Sequence, residues 1–138
     1  TLTNSIFNGF YRAIEELPSG PNTPFYVEDA IFDNNLLGIK APNTVDIVVE
    51  GNTFNVGDHT LAPSIFDEFY EIHSGIVVES SQNFTVELNN FNGSSTQPTY
   101  GAVAANTGEI NNVIRSNGYN DLSFGNYAFG VNRSNGAG

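Results

Sequence analysis

The segment FTVELNNFN, residues 84–92, contains the pattern that decides the fold. An aliphatic residue is followed by four intervening residues, an aromatic residue, and then asparagine or aspartate. Repeats with a period of roughly 20 to 50 residues are typical of solenoids and related arrays. The pattern occurs five times with identical internal spacing: Leu2…Phe7-Asn8, Val27…Phe32-Asp33, Val49…Phe54-Asn55, Val86…Phe91-Asn92 and Ile114…Tyr119-Asn120.

A small residue within a run of strand formers follows each repeat. The distance from the aromatic residue to this small residue is 6, 6, 21, 10 and 9 residues, so the connection varies while the strands keep their spacing. Apolar residues alternate around Val86, which favours strands over helices. The five pairs are Ala13-Ile14, Gly38-Ile39, Gly75-Ile76, Gly101-Ala102 and Ala128-Phe129.

These features predict an all-β chain, a right-handed parallel β-helix of about four to five coils. Residues 1–138 are predicted to form a single domain, with one side insertion at residues 55–74 between strands of one coil. The insertion contains a segment starting at Ser64 that is predicted to form a short capped helix. We expect this insertion to lie against the side of the solenoid as a flap.

Equivalent residues of successive coils should form columns about 4.8 Å apart, the spacing of paired strands. The aromatic column is predicted to be an interior ring stack. Two polar columns should hydrogen-bond from coil to coil and to the turning backbone, and asparagine also tolerates the left-handed conformation at a turn. One column directly follows the aromatic residues, and the other contains Ser5, Ala30, Asn52, Asn89 and Asn117.

The insertion also concentrates titratable residues, namely Asp58, His59, Asp67, Glu68, Glu71 and His73. One interpretation is a carboxylate and imidazole site that binds a divalent ion or performs acid–base chemistry. The other is a solvated polar loop anchored by Phe66, Phe69 and Tyr70. The spacing matches no metal-binding signature, so the loop is the favoured interpretation.

Three glutamates occupy one outward-facing column, directly after the aliphatic residue: Glu28, Glu50 and Glu87. Like charges about 5 Å apart repel unless they are screened or bridged. Calcium is the ion that would bridge them, because it accepts several carboxylates at flexible geometry. The alternative is a solvated acidic strip with Arg115 pairing with Glu87 at its end.

The charge balance excludes several kinds of partner. Four Lys and Arg against 15 Asp and Glu give a net charge of −11. Such a surface repels phosphate backbones, so we expect no nucleic-acid partner. No run of about 18 apolar residues occurs in the sequence, so we also expect no membrane insertion. The absence of cysteine excludes disulfides, thiolate metal sites and cysteine nucleophiles.

The repeat resembles the right-handed parallel β-helix family, the pectate-lyase-like superfold that also includes polygalacturonases, phage tailspikes and many bacterial surface proteins. Its N-x-F-N and Y-G-I/V-like segments are most similar to repeats in secreted bacterial surface proteins. The resemblance implies the fold, whereas function varies widely on this scaffold. Glycoside hydrolysis would need a placed carboxylate pair, and a lyase would need calcium carboxylates with a base. In the aligned coils the four cations do not converge with an aspartate cluster: Arg12, Lys40, Arg115 and Arg133.

We therefore predict a non-catalytic module that is structural or adhesive and is secreted or displayed on the cell surface. We expect no cofactor other than calcium at the glutamate column. Matching columns at the two ends, Leu2 with Ile114 and Phe7 with Tyr119, predict end-to-end self-association into a filament, or packing against neighbouring coils of a longer chain. The alternatives are a carbohydrate-binding module and a polysaccharide-degrading enzyme. Exposed tyrosines would stack on sugar faces in the first of these: Tyr11, Tyr26, Tyr70 and Tyr100.

Overall fold

The structure, a computed structural model, describes residues 1–17, 24–57, 71–94, 98–108, 111–130 and 132. The described residues contain fifteen β-strands, which assemble into three parallel sheets of five strands each. Consecutive strands belong to different sheets. From β4 onward, each strand pairs with the strand three positions earlier in the chain. The chain is a right-handed parallel β-solenoid of five coils, as the sequence predicts. None of the described residues belongs to a helix long and apolar enough to cross a membrane.

Each coil contributes one strand to each sheet. The first sheet contains β1 (Leu2–Thr3), β4 (Phe25–Glu28), β7 (Val45–Glu50), β10 (Gln82–Glu87) and β13 (Val113–Arg115). The second contains β2 (Ile6–Asn8), β5 (Ile31–Asn35), β8 (Thr53–Val56), β11 (Asn90–Gly93) and β14 (Gly118–Asn120). The third contains β3 (Arg12–Glu15), β6 (Leu37–Pro42), β9 (Ser74–Glu79), β12 (Tyr100–Ala105) and β15 (Phe124–Phe129). Coil 1 is therefore β1–β3, and coil 5 is β13–β15.

The aromatic column forms the predicted interior stack in the second sheet. Successive ring centroids lie 4.9, 4.5, 4.9 and 5.4 Å apart, and the interplanar angles do not exceed 12°. The strand spacing of about 4.8 Å sets these distances, because each ring is carried at the same position of its strand. The rings belong to Phe7, Phe32, Phe54, Phe91 and Tyr119.

A buried amide ladder runs along the corner between the first and second sheets. Asn52 Oδ1 accepts the backbone N–H of Ala30 at 2.8 Å, and Asn89 Oδ1 accepts that of Asn52 at 2.9 Å. Asn117 Oδ1 accepts the backbone N–H of Asn89 at 2.9 Å. In coils 3 to 5 the side-chain oxygen at this position therefore accepts the N–H of the coil before it. This arrangement satisfies backbone groups that the turn would otherwise bury without a partner.

The left-handed conformation that turns this corner belongs to the residue just before each ladder position. The φ angles there are 50°, 51°, 69°, 57° and 55° in coils 1 to 5. Asparagine, aspartate and glycine tolerate this region most readily, which explains most of the residues found. The five residues are Asn4, Asp29, Gly51, Leu88 and Ser116.

Glycines allow the third sheet to approach the aromatic stack. A Cβ on Gly38, Gly75 or Gly101 would lie 2.9, 2.6 or 2.8 Å from the ring of the next coil. The prediction that Ala128-Phe129 continues this column in coil 5 is wrong. The pairing of β12 with β15 places Gly125 in the column, three residues before Ala128.

The third sheet is buried on both faces in coils 2 to 4. Its inward side chains, such as Ile39 and Ile76, belong to the main core with the aromatic stack. Its outward side chains form a second apolar cluster: Leu37, Val77, Tyr100, Val103 and Ala105. This doubly buried sheet contrasts with the first sheet, whose outward residues include the glutamate column.

The connection between β8 and β9 spans residues 57–73. Asn55, Val56 and Ser74, which the sequence assigned to the insertion, lie in strands. Residues 58–70 lie outside the described residues, and with them the predicted helix starting at Ser64 and the aromatic anchors of the flap. The described end of the connection contains buried Glu71.

Candidate functional site

The acidic column lies in register along the first sheet, as predicted. Glu28 pairs with Glu50, Glu50 with Glu87, and Glu87 with Arg115. Arg115 Nε donates a hydrogen bond to Glu87 Oε2 at 2.5 Å, and this bond raises the pKa of Arg115 above its ordinary value. The predicted charge pairing at the end of the row is therefore confirmed. On the other side of Glu28 the column continues with uncharged Thr3.

A shallow depression of about 330 Å³ lies beside the acidic column. It is lined by Glu28, Asp29, Glu50, Gly51 and Leu88. No three His, Cys, Asp or Glu side chains in the described part of the chain are grouped so that they could hold a metal ion. Calcium bridging of the column stays a prediction, and it would require the carboxylates to turn toward a shared ion.

The four tyrosines considered for sugar stacking do not share a surface. Tyr11 is 41% exposed and precedes β3, whereas Tyr26 is half-buried in β4 of the first sheet. Tyr70 lies outside the described residues. The expectation that Tyr100 is exposed is wrong, because it begins a strand of the doubly buried third sheet and is only 6% exposed.

Tyr100 instead anchors an aromatic cluster that the sequence analysis missed. Its ring stacks on Phe124 at 5.1 Å, and Tyr127 meets both rings edge-on at 5.3 and 5.5 Å. Burial, and secondarily the charge interaction with Tyr127, raises the pKa of Tyr100. Phe124 remains 43% exposed, so one side of the cluster faces solvent. A large apolar residue directly before the glycine, as in Leu37, Tyr100 and Phe124, was the available sequence signal.

Glu71, one of the acids of the insertion, is fully buried and paired rather than solvated. Its carboxylate accepts hydrogen bonds from Lys40 Nζ and from Arg12 Nη2, the latter at 3.3 Å. Arg12 Nη1 also donates to Glu15 Oε2 at 2.6 Å, and Lys40 Nζ lies 4.0 Å from Glu79 Oε2. The expectation that Glu71 lies in a solvated loop is therefore wrong. Two cations, Arg12 and Lys40, converge on this carboxylate and fix the end of the connection on the third sheet.

One further titratable residue of the insertion, His73, lies within the described residues. His73 is buried just before β9 and has a positive φ of 58°. The others lie outside the described residues: Asp58, His59, Asp67 and Glu68. The carboxylate and imidazole site considered from the sequence therefore stays a prediction.

The two end coils leave open strand edges in the described part of the chain. Strands β1, β2 and β3 form the outer edge of coil 1, and β13, β14 and β15 form that of coil 5. Unpaired N–H and C=O groups on such edges can add further strands. Large apolar side chains are exposed at both ends: Leu2, Ile6, Phe10 and Leu17 in or beside coil 1, and Phe124 and Phe129 in coil 5. These edges are the candidate functional site.

A scan against protein-family models and searches of curated proteins and of solved structures found no match for this chain.

Proposed function

We propose that this chain is a non-catalytic structural or adhesive module of an extracellular β-solenoid, in which each end coil packs against a further coil. The observation that carries the proposal is the pair of open end coils, whose interior columns run to the outermost described strands. Leu2 and Phe7 begin the aliphatic and aromatic columns, and Ile114 and Tyr119 end them. An added coil would bury these side chains and pair the open edges.

The physics of solenoids supports this role. Each coil contacts mainly its neighbours, so stability grows by one coil and one interface at a time. An additional coil extends the same columns without any new kind of contact. The extracellular location and membership of the pectate-lyase-like superfold are proposed from the sequence resemblance to secreted bacterial surface proteins.

A tandem fusion of two copies tests whether the end coils accept a further coil. Joining residue 138 to residue 1 leaves ten residues between β15 and the next β1, the nine residues 130–138 plus Thr1. The natural connection between β3 and β4 has nine residues, 16–24. The fused chain therefore has enough length to continue the winding into a second set of coils.

Denaturant unfolding of the tandem decides the outcome. A continuous solenoid should unfold in one transition, with a raised midpoint and an m-value about twice that of the single chain, because m scales with the surface exposed on unfolding. The single chain at equal mass concentration is the control. A tandem that keeps the midpoint and m-value of the single chain would consist of two independent units, and the proposal would be wrong.

A second candidate function, carbohydrate binding, is favoured by the half-open cluster of Tyr100, Phe124 and Tyr127. Aromatic faces pack well on sugar faces. On a glycan array, selective binding should be lost in Phe124→Ala and kept in Phe10→Ala, a similarly exposed aromatic residue beside coil 1. Binding that is absent, or equally affected by both changes, would reject this function.

A further inference from the structure

Ser5, in coil 1, has the same local arrangement as a serine that already links two coils inside the solenoid. Ser81 Oγ lies 2.9 Å from the carbonyl oxygen of Glu79, two residues earlier, and accepts the backbone N–H of Thr44 in the preceding coil at 2.9 Å. Ser5 Oγ likewise donates to the carbonyl of Thr3, two residues earlier, at 3.1 Å. A hydroxyl retains acceptor capacity while it donates. Ser5 can therefore accept an N–H from a coil placed before coil 1.

The opposite end of the chain offers the matching donor. From Ala30 onward, each backbone N–H of the buried ladder donates to the side-chain oxygen of the following coil, ending with Asn89 and Asn117. Asn117 belongs to coil 5, so the acceptor for its own N–H would come from a coil placed after it. Ser5 occupies the ladder position of coil 1, because Leu2 pairs with Val27 in the first sheet. Among the described residues, the hydrogen-bonding group that each end lacks is thus the one that the other end presents.

The exposed amide column ends in the same complementary way. Asn120 Nδ2 donates to Asn92 Oδ1 at 3.0 Å, while no described residue donates to Asn120 Oδ1. Asn8 begins the column and donates one amide hydrogen to Asp33 at 2.9 Å. Because an amide nitrogen carries two hydrogens, the second can serve an acceptor in a coil before coil 1.

The two end coils also have the same path length. In coil 1 the aromatic column lies five residues after the aliphatic column, from Leu2 to Phe7. The inward position of the third sheet, Ile14, follows seven residues later. Coil 5 advances by the same numbers, ending at Asn126. Coil 3 needs 22 residues for the second step, from Phe54 to Ile76. Coils 1 and 5 therefore have the same spacing between columns, and neither has the long connection found in coil 3.

Charge does not oppose contact between these faces as strongly as the net charge of −11 suggests. The described residues of the two end coils, 1–17 and 111–130, contain two cations and three acids, a net −1: Arg12, Arg115, Glu15, Glu16 and Asp121. The described residues between them, 24–108, contain eight acids and one lysine, a net −7. The acidity is thus concentrated along the sides of the solenoid, where it disfavours side-to-side contact more than end-to-end contact.

We propose that the partner of each end coil is a second copy of this chain, stacked head to tail so that coil 1 of one copy follows coil 5 of the other. This inference rests on the proposed module role and names its partner. The Asn117 N–H donates to Ser5 Oγ of the next copy, and Asn8 donates to Asn120 Oδ1 across the junction. The contact is heterologous, so repetition produces an open filament.

Engineered disulfides test the register, because the natural chain has no cysteine. Two pairs of substitutions place exposed thiols in matched columns: Asn8→Cys with Asn120→Cys, and Thr3→Cys with Arg115→Cys. Exchanging the partners, Thr3→Cys with Asn120→Cys and Asn8→Cys with Arg115→Cys, gives mismatched controls with the same four sites. Within one copy each pair is separated by four strand spacings, about 19 Å, which is too far for a disulfide.

The expected result is a ladder of dimers and higher species on non-reducing gels for the matched pairs, at least about tenfold stronger than for the mismatched pairs, since paired strands place Cα atoms within disulfide reach. Equal cross-linking of all four variants would overturn the proposal. The absence of any cross-linking, in protein that circular dichroism shows to be folded, would also overturn it. Dimers of the single Asn8→Cys variant that are as strong as the matched ladder would indicate head-to-head contact and would also overturn it.

Sedimentation of Ser5→Ala provides a second measurement that does not use cysteines. In the single chain Ser5 loses only its bond to Thr3, so unfolding should change little, whereas association should weaken by about tenfold, the usual worth of one hydrogen bond. Unchanged association would contradict the assigned junction. If the tandem fusion unfolds as one unit but separate copies neither associate nor cross-link, the module role stands and the second copy is not the partner.

Discussion

Replacing Asn89 with alanine should remove the central rung of the buried amide ladder. Asn89 Oδ1 accepts both the backbone N–H and the Nδ2 of Asn52 at 2.9 Å. Its Nδ2 donates to the carbonyl of Val49 at 2.9 Å and lies 3.1 Å from Asn117 Oδ1. Asn52, Val49 and Asn89 are all fully buried, so water cannot readily replace the lost groups.

The expected cost follows from the two backbone groups that lose a partner. Each buried donor or acceptor left without its hydrogen bond costs about 1–3 kcal/mol, so Asn89→Ala should lower the free energy of unfolding by about 2–6 kcal/mol. That is a large fraction of the roughly 5–15 kcal/mol that stabilises a typical domain. The variant should remain folded in dilute buffer but unfold at a much lower denaturant concentration.

Asn92→Ala is the matched control in the same coil. Asn92 also belongs to an amide column, but its bonds to Asn55 and Asn120 join side chains only and it is half-buried. Denaturant unfolding at unchanged m-value should show a loss of no more than about 1 kcal/mol for this variant, because water can replace hydrogen bonds at a half-buried position. If Asn89→Ala costs no more than Asn92→Ala, the ladder does not stabilise the corner and the reasoning fails.

Three further predictions use the same unfolding assay. Phe54→Ala should cost about 3–5 kcal/mol, since it removes a fully buried ring from the middle of the aromatic stack; a loss below about 1 kcal/mol would contradict the interior stack. Glu71→Gln should cost about 3–5 kcal/mol because it leaves Lys40 without its buried counter-charge, while Glu71→Gln combined with Lys40→Met should recover much of that loss; equal costs for the single and double variants would refute the coupling. Added calcium should raise the unfolding midpoint of the natural chain more than that of Glu50→Gln if the acidic column binds it; an equal or absent shift would remove calcium from the account.

The interior columns were predictable from the sequence because close packing restricts which residue types can occupy them. Stacked strands carry equivalent residues to the same place in every coil, so the pattern from Leu2 to Ile114 repeats with fixed spacing. The paired register of the aromatic, aliphatic and asparagine columns agrees with the alignment made from sequence alone.

The small residue of coil 5 was predicted at Ala128 instead of Gly125, because the residue after Gly125 is not apolar. The inward residue after the glycine is aliphatic or alanine in coils 2 to 4, but in coil 5 it is Asn126. Asn126 is exposed at the open edge and accepts a hydrogen bond from the Tyr119 hydroxyl. A search for a small residue followed by an apolar one therefore moved past Gly125 to Ala128.

The burial of Tyr100 and Glu71 depends on the outer face of the third sheet. Alternation indicates which side chains point outward, but it does not tell whether that face is covered. The continuous apolar run Tyr100–Ala105 was the available signal, because strands buried on both faces lack polar alternation. The pairing of Glu71 with Lys40 joins residues 31 positions apart through a connection of variable length, which no column alignment predicts.

The central claim is that the end coils of this solenoid accept further coils in register, and small-angle X-ray scattering of the tandem fusion tests it most directly. Five added coils at about 4.8 Å each should lengthen the particle by about 24 Å. A continuous solenoid should show that increase in length with an unchanged cross-sectional radius and a rigid, rod-like distance distribution. A distribution of two compact bodies at variable separation, or an increase in cross-section without the expected length, would contradict it.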